Sequence, residues 1–395
     1  MINLLCVDHV TKILGGAELN LLQLLEHIDR EQFNVQVACV ADGVLDRELY
    51  ARQLPRQHFQ LSTVISEYRL VNRRLALGRA LRAAAMLRGT TDQLITIAKQ
   101  MQAQVLLSVT NKDHFAAGMA ARRLKCPSVW WVNDIMSRAF FSPLVLSVFN
   151  LMARRYASRL VAVSQQVGRS LLDLGVPADR ITTIYNGVDP QLYRRIDGTP
   201  LRRALGVPET AQVVTIIGRI TPWKGHQIFI DAAAELLRQR DDIYFLVVGG
   251  VFNEDQAFAE QLQMRVKEAG LTNHLHFLAF RKDVAEVYSA SDIVVHCSLK
   301  PEAFGRVLIE AMSCEVPVVA ACSGGVEEIV VEGHHGYLVP IGDVRAYVAA
   351  IDALLADPLK ARTFGRTGRD TVCARFTLDR MVNQFENLLT ETVKR

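Results

Sequence analysis

Eleven short runs, apolar almost throughout and rich in Val and Ile, recur along this chain at 2–7, 35–40, 105–109, 129–132, 160–163, 181–184, 213–217, 244–248, 275–277, 293–295 and 316–320. Several lack the polar–apolar alternation of a strand with one wet face. Both of their faces must therefore be covered, which is the condition of a parallel sheet. Segments of helical period lie between most of them. This alternation predicts an α/β fold with parallel sheets, repeated in two halves.

At 395 residues the chain exceeds one ordinary domain. The strand set pauses once, at "YNGVDPQLYRRIDGTP" (185–200), where Asn-Gly, Asp-Pro and Gly-Thr-Pro supply turn signals. The expected organisation is a first domain over 1–187, a second over 188–375 and a final helix over about 376–395. A net charge of +4 gives no reason to expect nucleic acid as a partner. The seven cysteines form no Cys-x-x-Cys pair, and several sit in apolar runs. That usage fits a reducing compartment, with no disulfide framework and no zinc site. The opening "MINLLCVDHV" reads as a strand rather than a signal peptide. The longest apolar stretch, 140–152, is broken by Ser, Pro and Asn and falls short of the ~20 residues of a membrane span. A soluble or peripheral cytoplasmic protein is expected.

Four stretches carry candidate chemistry. In "GRITPWKG" (218–225), Arg219 and Lys224 follow the run 213–217. If that run is a central parallel strand, both cations lie beyond its carboxyl end, where open α/β sheets bind ligands. Arg offers a planar fork to phosphate oxygens and Lys a mobile point charge. In "PEAFGRVLIEAM" (301–312), a helix beginning near Phe304 would leave the first-turn N–H groups of Gly305, Arg306 and Val307 for an anion. Glu302 would lie in the preceding loop and Glu310 would face inward. Two carboxylates beside an anion site suit a polyhydroxylated phosphate ligand. "CSGGVEEIV" (322–330) reads as a further backbone nest. In "LGGAEL" (14–19), Gly15 and Gly16 let a backbone approach a ligand closely, but the pattern is not a dinucleotide fingerprint. Taken singly, each stretch also reads as a solvated loop, a helix cap or a turn.

As a set, with "VSQQVGRSLLDLGVPADRITTIYNGVD" (163–189), they resemble the retaining glycosyltransferases of family 4 over nearly the whole chain. The resemblance implies the GT-B fold: two facing Rossmann-like parallel-sheet domains with an interdomain cleft, the last helix crossing back to the first domain. It implies a nucleotide-diphosphate sugar, UDP- or GDP-linked, as donor. Arg219 and Lys224 would hold the diphosphate, Glu310 the ribose hydroxyls and Glu302 a hydroxyl of the sugar, making Arg219, Lys224 and Glu302 the catalytic set. The backbone of Phe304, Gly305, Arg306 and Val307 would meet sugar and phosphate. Gly15 and Gly16 would let the first domain close over the diphosphate, and Arg281 stands at the position matching base contacts. No Asp-x-Asp triplet occurs, so no metal and no cofactor are expected. The implied acceptor is a glycan or lipid-linked intermediate of cell-envelope polysaccharide, such as lipopolysaccharide, with a soluble small molecule or a non-catalytic nucleotide-sugar-binding role as alternatives.

The chain departs from the family pattern in three places. Ser108 and Thr110 stand where relatives carry a His, with His114 a few residues on. Asn133, followed by Asp134, replaces a second His; Asn can hydrogen-bond a sugar hydroxyl but cannot take its proton. Thr110, His114, Asn133 and Asp134 are the candidate acceptor-side residues. Glu315 stands where relatives have Gly, and would be strained if the backbone needs a positive φ. Finally, residues 68–91 carry Arg69, Arg73, Arg74, Arg79, Arg82 and Arg88 and no acid through Arg88, with Leu70, Leu77 and Leu81 at helical spacing. A basic amphipathic helix of this kind reads as an element for an anionic membrane surface. A second candidate is 139–152, with Arg154 and Arg155 beside it. Each also fits a helix with one solvated and one buried face.

Overall fold

The computed structural model describes residues 1–12, 14–60 and 77–394, and the side chains of all of these but 77–86 and 253. The chain divides into two compact units, Met1–Asn186 with Leu378–Arg395, and Gly187–Thr377.

The N-terminal unit is built on seven strands, β1 (Ile2–Val7), β2 (Phe33–Cys39), β3 (Arg56–His58), β4 (Val105–Ser108), β5 (Ser128–Val132), β6 (Arg159–Ala162) and β7 (Ile181–Thr183). Their order in the sheet is β3-β2-β1-β4-β5-β6-β7, and every pairing is parallel. β4 and β5 are buried along their whole length. Neighbouring residues of a strand point to opposite faces, and β5 shows both faces filled. Trp130 stacks on His114 with centroids 5.0 Å apart, and Trp131 packs against Phe385 at 4.4 Å. Phe385 belongs to the last helix, Leu378–Lys394, which therefore completes this unit.

The C-terminal unit carries β8 (Gln212–Ile217), β9 (Ile243–Val248), β10 (Leu275–Leu278), β11 (Ile293–His296), β12 (Val318–Ala321) and β13 (Gly336–Val339). The order is β10-β9-β8-β11-β12-β13, again parallel throughout. Each sheet reverses its direction of growth once, between β1 and β4 in the first and between β8 and β11 in the second. Just beyond the carboxyl ends of such a pair, the two connecting segments diverge and leave a crevice.

Two strands escape a reading by apolar runs. β3 is a three-residue polar edge strand, "RQH". β13 opens on Gly336, where a Cβ would lie 1.7 Å from the Val318 carbonyl oxygen. Glu315 does adopt the left-handed backbone, with φ 60°. Its carbonyl is pressed by the helix Pro358–Arg375, where a Cβ on Gly365 would come within 2.1 Å. In the basic stretch 68–91, Arg69, Arg73 and Arg74 lie outside the described residues, as do the side chains of Arg79 and Arg82. The helix Leu77–Gln100 is present, and Arg88 on it is exposed. Among the described residues no helix is long and apolar enough to cross a membrane.

Candidate functional site

The reversal between β8 and β11 gathers three polar side chains around Glu302. β8 leads through Gly218 and Arg219 to a 3-10 turn, Pro222–Lys224, and then the helix His226–Leu237. Gly225 joins turn to helix with φ 73°, and a Cβ there would meet the Cys297 carbonyl oxygen at 2.0 Å. Only Gly lets this loop lie so close to the end of β11. The contact is locked by Leu299 N–H donating to the Trp223 carbonyl at 2.7 Å.

Beyond β11, Glu302 is paired with the Lys224 ammonium. Its Oε1 also accepts from Ser298 Oγ at 2.6 Å and lies 3.2 Å from His296 Nε2. Burial by itself pushes this carboxyl up, but Lys224 and His296 outweigh it and hold the group well below the usual carboxylate range. Glu302 is thus a fixed anion. Lys224 Nζ has three donors, so engagement with Glu302 leaves capacity for another partner. Trp223 lies under Lys224 at 4.3 Å, and Phe252 under the Arg219 guanidinium at 4.2 Å. His226 is buried beside Lys224; burial first, then that ammonium, push its imidazole down to about 4, so it stays neutral.

The loop after Glu302 ends in Gly305, with φ 109° and ψ 53°, which opens the helix Arg306–Ser313. Phe304 is buried edge-on against Phe376 at 5.8 Å. Arg306 turns its side chain away from the helix start. Its Nε donates to Glu310 Oε1 at 2.7 Å, while Tyr288 donates its hydroxyl to Glu310 Oε2 at 2.8 Å. Both members of the Arg306–Glu310 pair are nearly buried. The expectation for Arg306 concerns its backbone N–H; its guanidinium serves Glu310. The Tyr193 hydroxyl also bonds this pair, and the carboxylate, with about four lone-pair sites, keeps capacity for a further hydroxyl. The Ser-Gly-Gly nest is corrected in part. Gly325 N–H donates to the Glu302 carbonyl at 2.8 Å, so this backbone braces the Glu302 loop. Arg281 follows the edge strand β10, two strands from β8, and its guanidinium is taken by Asp283 and by Glu286 at 2.7 Å.

In the N-terminal unit, Gly15 precedes the helix Gly16–His27, and its N–H donates to Glu18 Oε2 at 2.6 Å. Asn133 is half-buried and gives its amide to the carbonyls of Val109 and Trp131. Asp134 is exposed and accepts from Asn111 Nδ2 at 2.7 Å. His114 does not reach a ligand surface. It is wholly buried, stacked on Trp130 and hydrogen-bonded through Nδ1 to Ser108 Oγ at 2.8 Å. Burial pushes its imidazole down to about 3, so it is a neutral core histidine. Thr110 caps the helix Asn111–Leu124 and donates Oγ1 to Asp113 Oδ2 at 2.6 Å.

Several site residues carry no signal strong enough to be read from the sequence. His296 and Ser298 do sit at the end of the run "DIVVHCS", immediately before the Glu302 loop, and that position marks them in hindsight. Tyr288, the second partner of Glu310, comes from the preceding helix Val284–Ala290 and has no local signal.

Known proteins share the fold and the sequence pattern of this chain. The family described as Glycosyl transferases group 1 matches residues 198–371, and Glycosyltransferase Family 4 matches residues 14–192. The chain is 30% identical over 235 residues to N-acetyl-alpha-D-glucosaminyl L-malate synthase of Bacillus anthracis, covering 60% of each protein. It is 34% identical over 216 residues to D-inositol 3-phosphate glycosyltransferase 2 of Catenulispora acidiphila, covering 53% of this chain and 50% of that protein. The alignments thus span little more than half the length of these curated relatives. Among solved structures, HepE of Anabaena in complex with UDP and glucose superposes with a TM-score of 0.86 at 29% identity, covering 99% of this chain and 100% of that one. The sucrose-phosphate synthase of Thermosynechococcus elongatus, at 21% identity and a TM-score of 0.81, shares the fold. Two parallel Rossmann-like sheets, a cation pair and two glutamates at a sheet reversal, and two family profiles that between them take in most of the sequence lead to one placement: the chain belongs to the group 1 glycosyltransferases of family 4, with the GT-B fold.

Proposed function

We propose that the chain transfers a sugar from a nucleotide-diphosphate sugar, with UDP as the nucleotide, to an acceptor hydroxyl with retention of configuration. The observation that carries this reading is the Lys224–Glu302 pair, with Arg219 in the same post-β8 segment as Lys224 and the start of the helix Arg306–Ser313 just after Glu302, at the reversal between β8 and β11. Arg219 and Lys224 hold the diphosphate, whose negative charge grows as the sugar–phosphate bond breaks, so their attraction is strongest in the transition state. Glu302, ionised by its neighbours, accepts from a sugar hydroxyl, and Glu310 from the ribose. The departing phosphate then takes the proton of the acceptor hydroxyl on the same face. Two cations and a helix N-terminus supply the charge that a metal supplies elsewhere, so the donor chemistry needs none. HepE was solved with UDP and with UDP-glucose, which supports the choice of nucleotide.

For the acceptor, the relatives' names favour a soluble small molecule over a polysaccharide: L-malate in one, inositol 3-phosphate in the other. That supports the alternative over the glycan or lipid-linked acceptor expected from the sequence. The test of the donor reading is thermal unfolding against UDP, UDP-glucose and GDP, with and without EDTA. A nucleotide at 100 times its dissociation constant adds about 2.7 kcal/mol. A UDP-induced rise in midpoint that survives EDTA is the expected result. No shift with any nucleotide would overturn the donor reading, and the non-catalytic nucleotide-sugar-binding alternative with it.

One observation keeps a cytoplasmic membrane surface in view. The helix Pro143–Tyr156 exposes Leu144, Val148 and Leu151 along one face and carries Arg154 and Arg155 in its last turn. A cavity of about 690 Å³ beside it is lined by Arg122, Lys125, Arg154, Arg155 and Arg180 and by no acid. An apolar stripe next to a cationic basin suits anionic lipid. Co-sedimentation with phosphatidylglycerol vesicles at low salt, lost in Leu151→Ser with Arg154→Glu, is the expected outcome; a protein left in the supernatant would end this reading.

A further inference from the structure

The N-terminal sheet has its own reversal, between β1 and β4, and a different set of groups converges there. Asp8 and His9 follow β1 directly, Asp113 lies in the first turn of the helix after β4, and Glu18 lies in the first turn of the helix after β1. One carboxylate oxygen of Asp8, one imidazole nitrogen of His9 and one carboxylate oxygen of Asp113 lie within 4.8 Å of one another. Asp8 is wholly buried. Its Oδ1 accepts from Val10 N–H at 2.9 Å, but its Oδ2 has no hydrogen-bond partner. Asp113 is nearly buried too, with Oδ2 2.9 Å from His9 Nδ1. Glu18 is close enough for its charge to act on all three.

Three buried carboxylates thus meet one imidazole, with Lys112 adding a positive charge through Asp113. Burial and mutual repulsion push the carboxyls of Asp8 and Glu18 up, so holding them ionised in this cluster requires a positive partner. An orphan carboxylate oxygen deep in the cluster points to a partner that the protein does not itself supply. The donors decide what kind. Carboxylate oxygens with one imidazole suit a first-row divalent ion, whereas an all-oxygen set would suit Ca²⁺ or Mg²⁺. A second grouping, Cys39, Asp46 and His58, makes no such case, because Arg56 already neutralises Asp46 at 2.6 Å.

We propose that Asp8, His9 and Asp113 bind one Mn²⁺ or Zn²⁺ at the β1/β4 reversal, with Glu18 supplying further negative charge. The ion fixes the start of the helix Asn111–Leu124 against the end of β1. It takes no part in the donor chemistry above and lies in the other unit.

The test uses the whole chain, stripped with EDTA and exchanged into metal-free buffer. Titration with MnCl₂, followed by the loss of the free-ion paramagnetic resonance signal, and with ZnCl₂ by calorimetry, is expected to give one ion per chain. Asp113→Asn and His9→Ala are each expected to weaken binding by at least about tenfold. Asp113 also ties Thr110 and the His9 backbone, so its variant can misfold; the imidazole of His9 is partly exposed, and its variant keeps the measurement open. No binding up to about 1 mM of either ion overturns the proposal. So does binding of equal strength in folded variants, or binding that appears only with UDP present, which places the ion on the nucleotide phosphates. The UDP-induced thermal shift, read on the same metal-free samples, reports separately on the donor site.

Discussion

Lys224→Ala is expected to lower turnover by about 10²–10³-fold, as removal of one group that stabilises developing charge does. Two effects combine. The diphosphate loses a cation where its charge grows most, and Glu302 loses the partner that keeps it ionised. The sign of the second follows from the structure. The folded-state pKa of Glu302 is depressed, so its ionised form adds stability above the ordinary carboxylate range, and that stability is lost as pH falls through the folded value. Without Lys224 the carboxyl keeps only His296 and Ser298, its pKa climbs, and this contribution shrinks at neutral pH. The deficit should lie mainly in kcat, with a smaller UDP-induced shift in melting. Steady-state kinetics on a folded variant decide: unchanged kcat and kcat/KM would remove Lys224 from the diphosphate.

Glu310→Ala is expected to destabilise the C-terminal unit by about 3–5 kcal/mol, because it takes the carboxylate from the buried Arg306 guanidinium, leaving the neutral Tyr193 hydroxyl beside that charge, and leaves the Tyr288 hydroxyl without its acceptor. For a unit of this size that lowers the midpoint by roughly 10 °C or more. Activity loss in this variant would therefore mix unfolding with loss of the ribose contact. Glu310→Gln separates them, since its amide oxygen still accepts from Tyr288 while the charge is gone. Melting of both variants, with and without UDP, is the check. A Glu310→Ala protein that melts like the parent would show that Arg306 finds another partner and that the pair is not structural.

The central strands were legible because helices leave neither face wet, which writes an unbroken apolar run into the sequence. β3 and β13 were not, since an edge strand needs no such run and Gly336 interrupts one. The cation turn and the spacing of Glu302 and Glu310 were equally plain. What joins them was not. Lys224 and Glu302 are 78 residues apart, and no local pattern records that they meet. Arg306 and Glu310 stand four apart on one helix, a pairing that spacing allows but does not require. His114 failed for another reason. A polar letter after a strand looks accessible, and only the Trp130 ring against it shows that it is core.

The last helix gives the chain an unusual order of completion during synthesis. The C-terminal unit is one unbroken stretch, Gly187–Thr377, whereas the N-terminal unit is interrupted by it and finishes with Leu378–Arg395. A ribosome that has delivered Thr377 has supplied every residue of the second unit but not of the first. Until Phe385 arrives, Trp131 lacks its cover, and Asp29 lacks Glu386, which accepts from its backbone N–H at 2.7 Å. The half of the protein made first is the half that must wait, exposing apolar surface to whatever chaperone or neighbouring chain meets it in the interval.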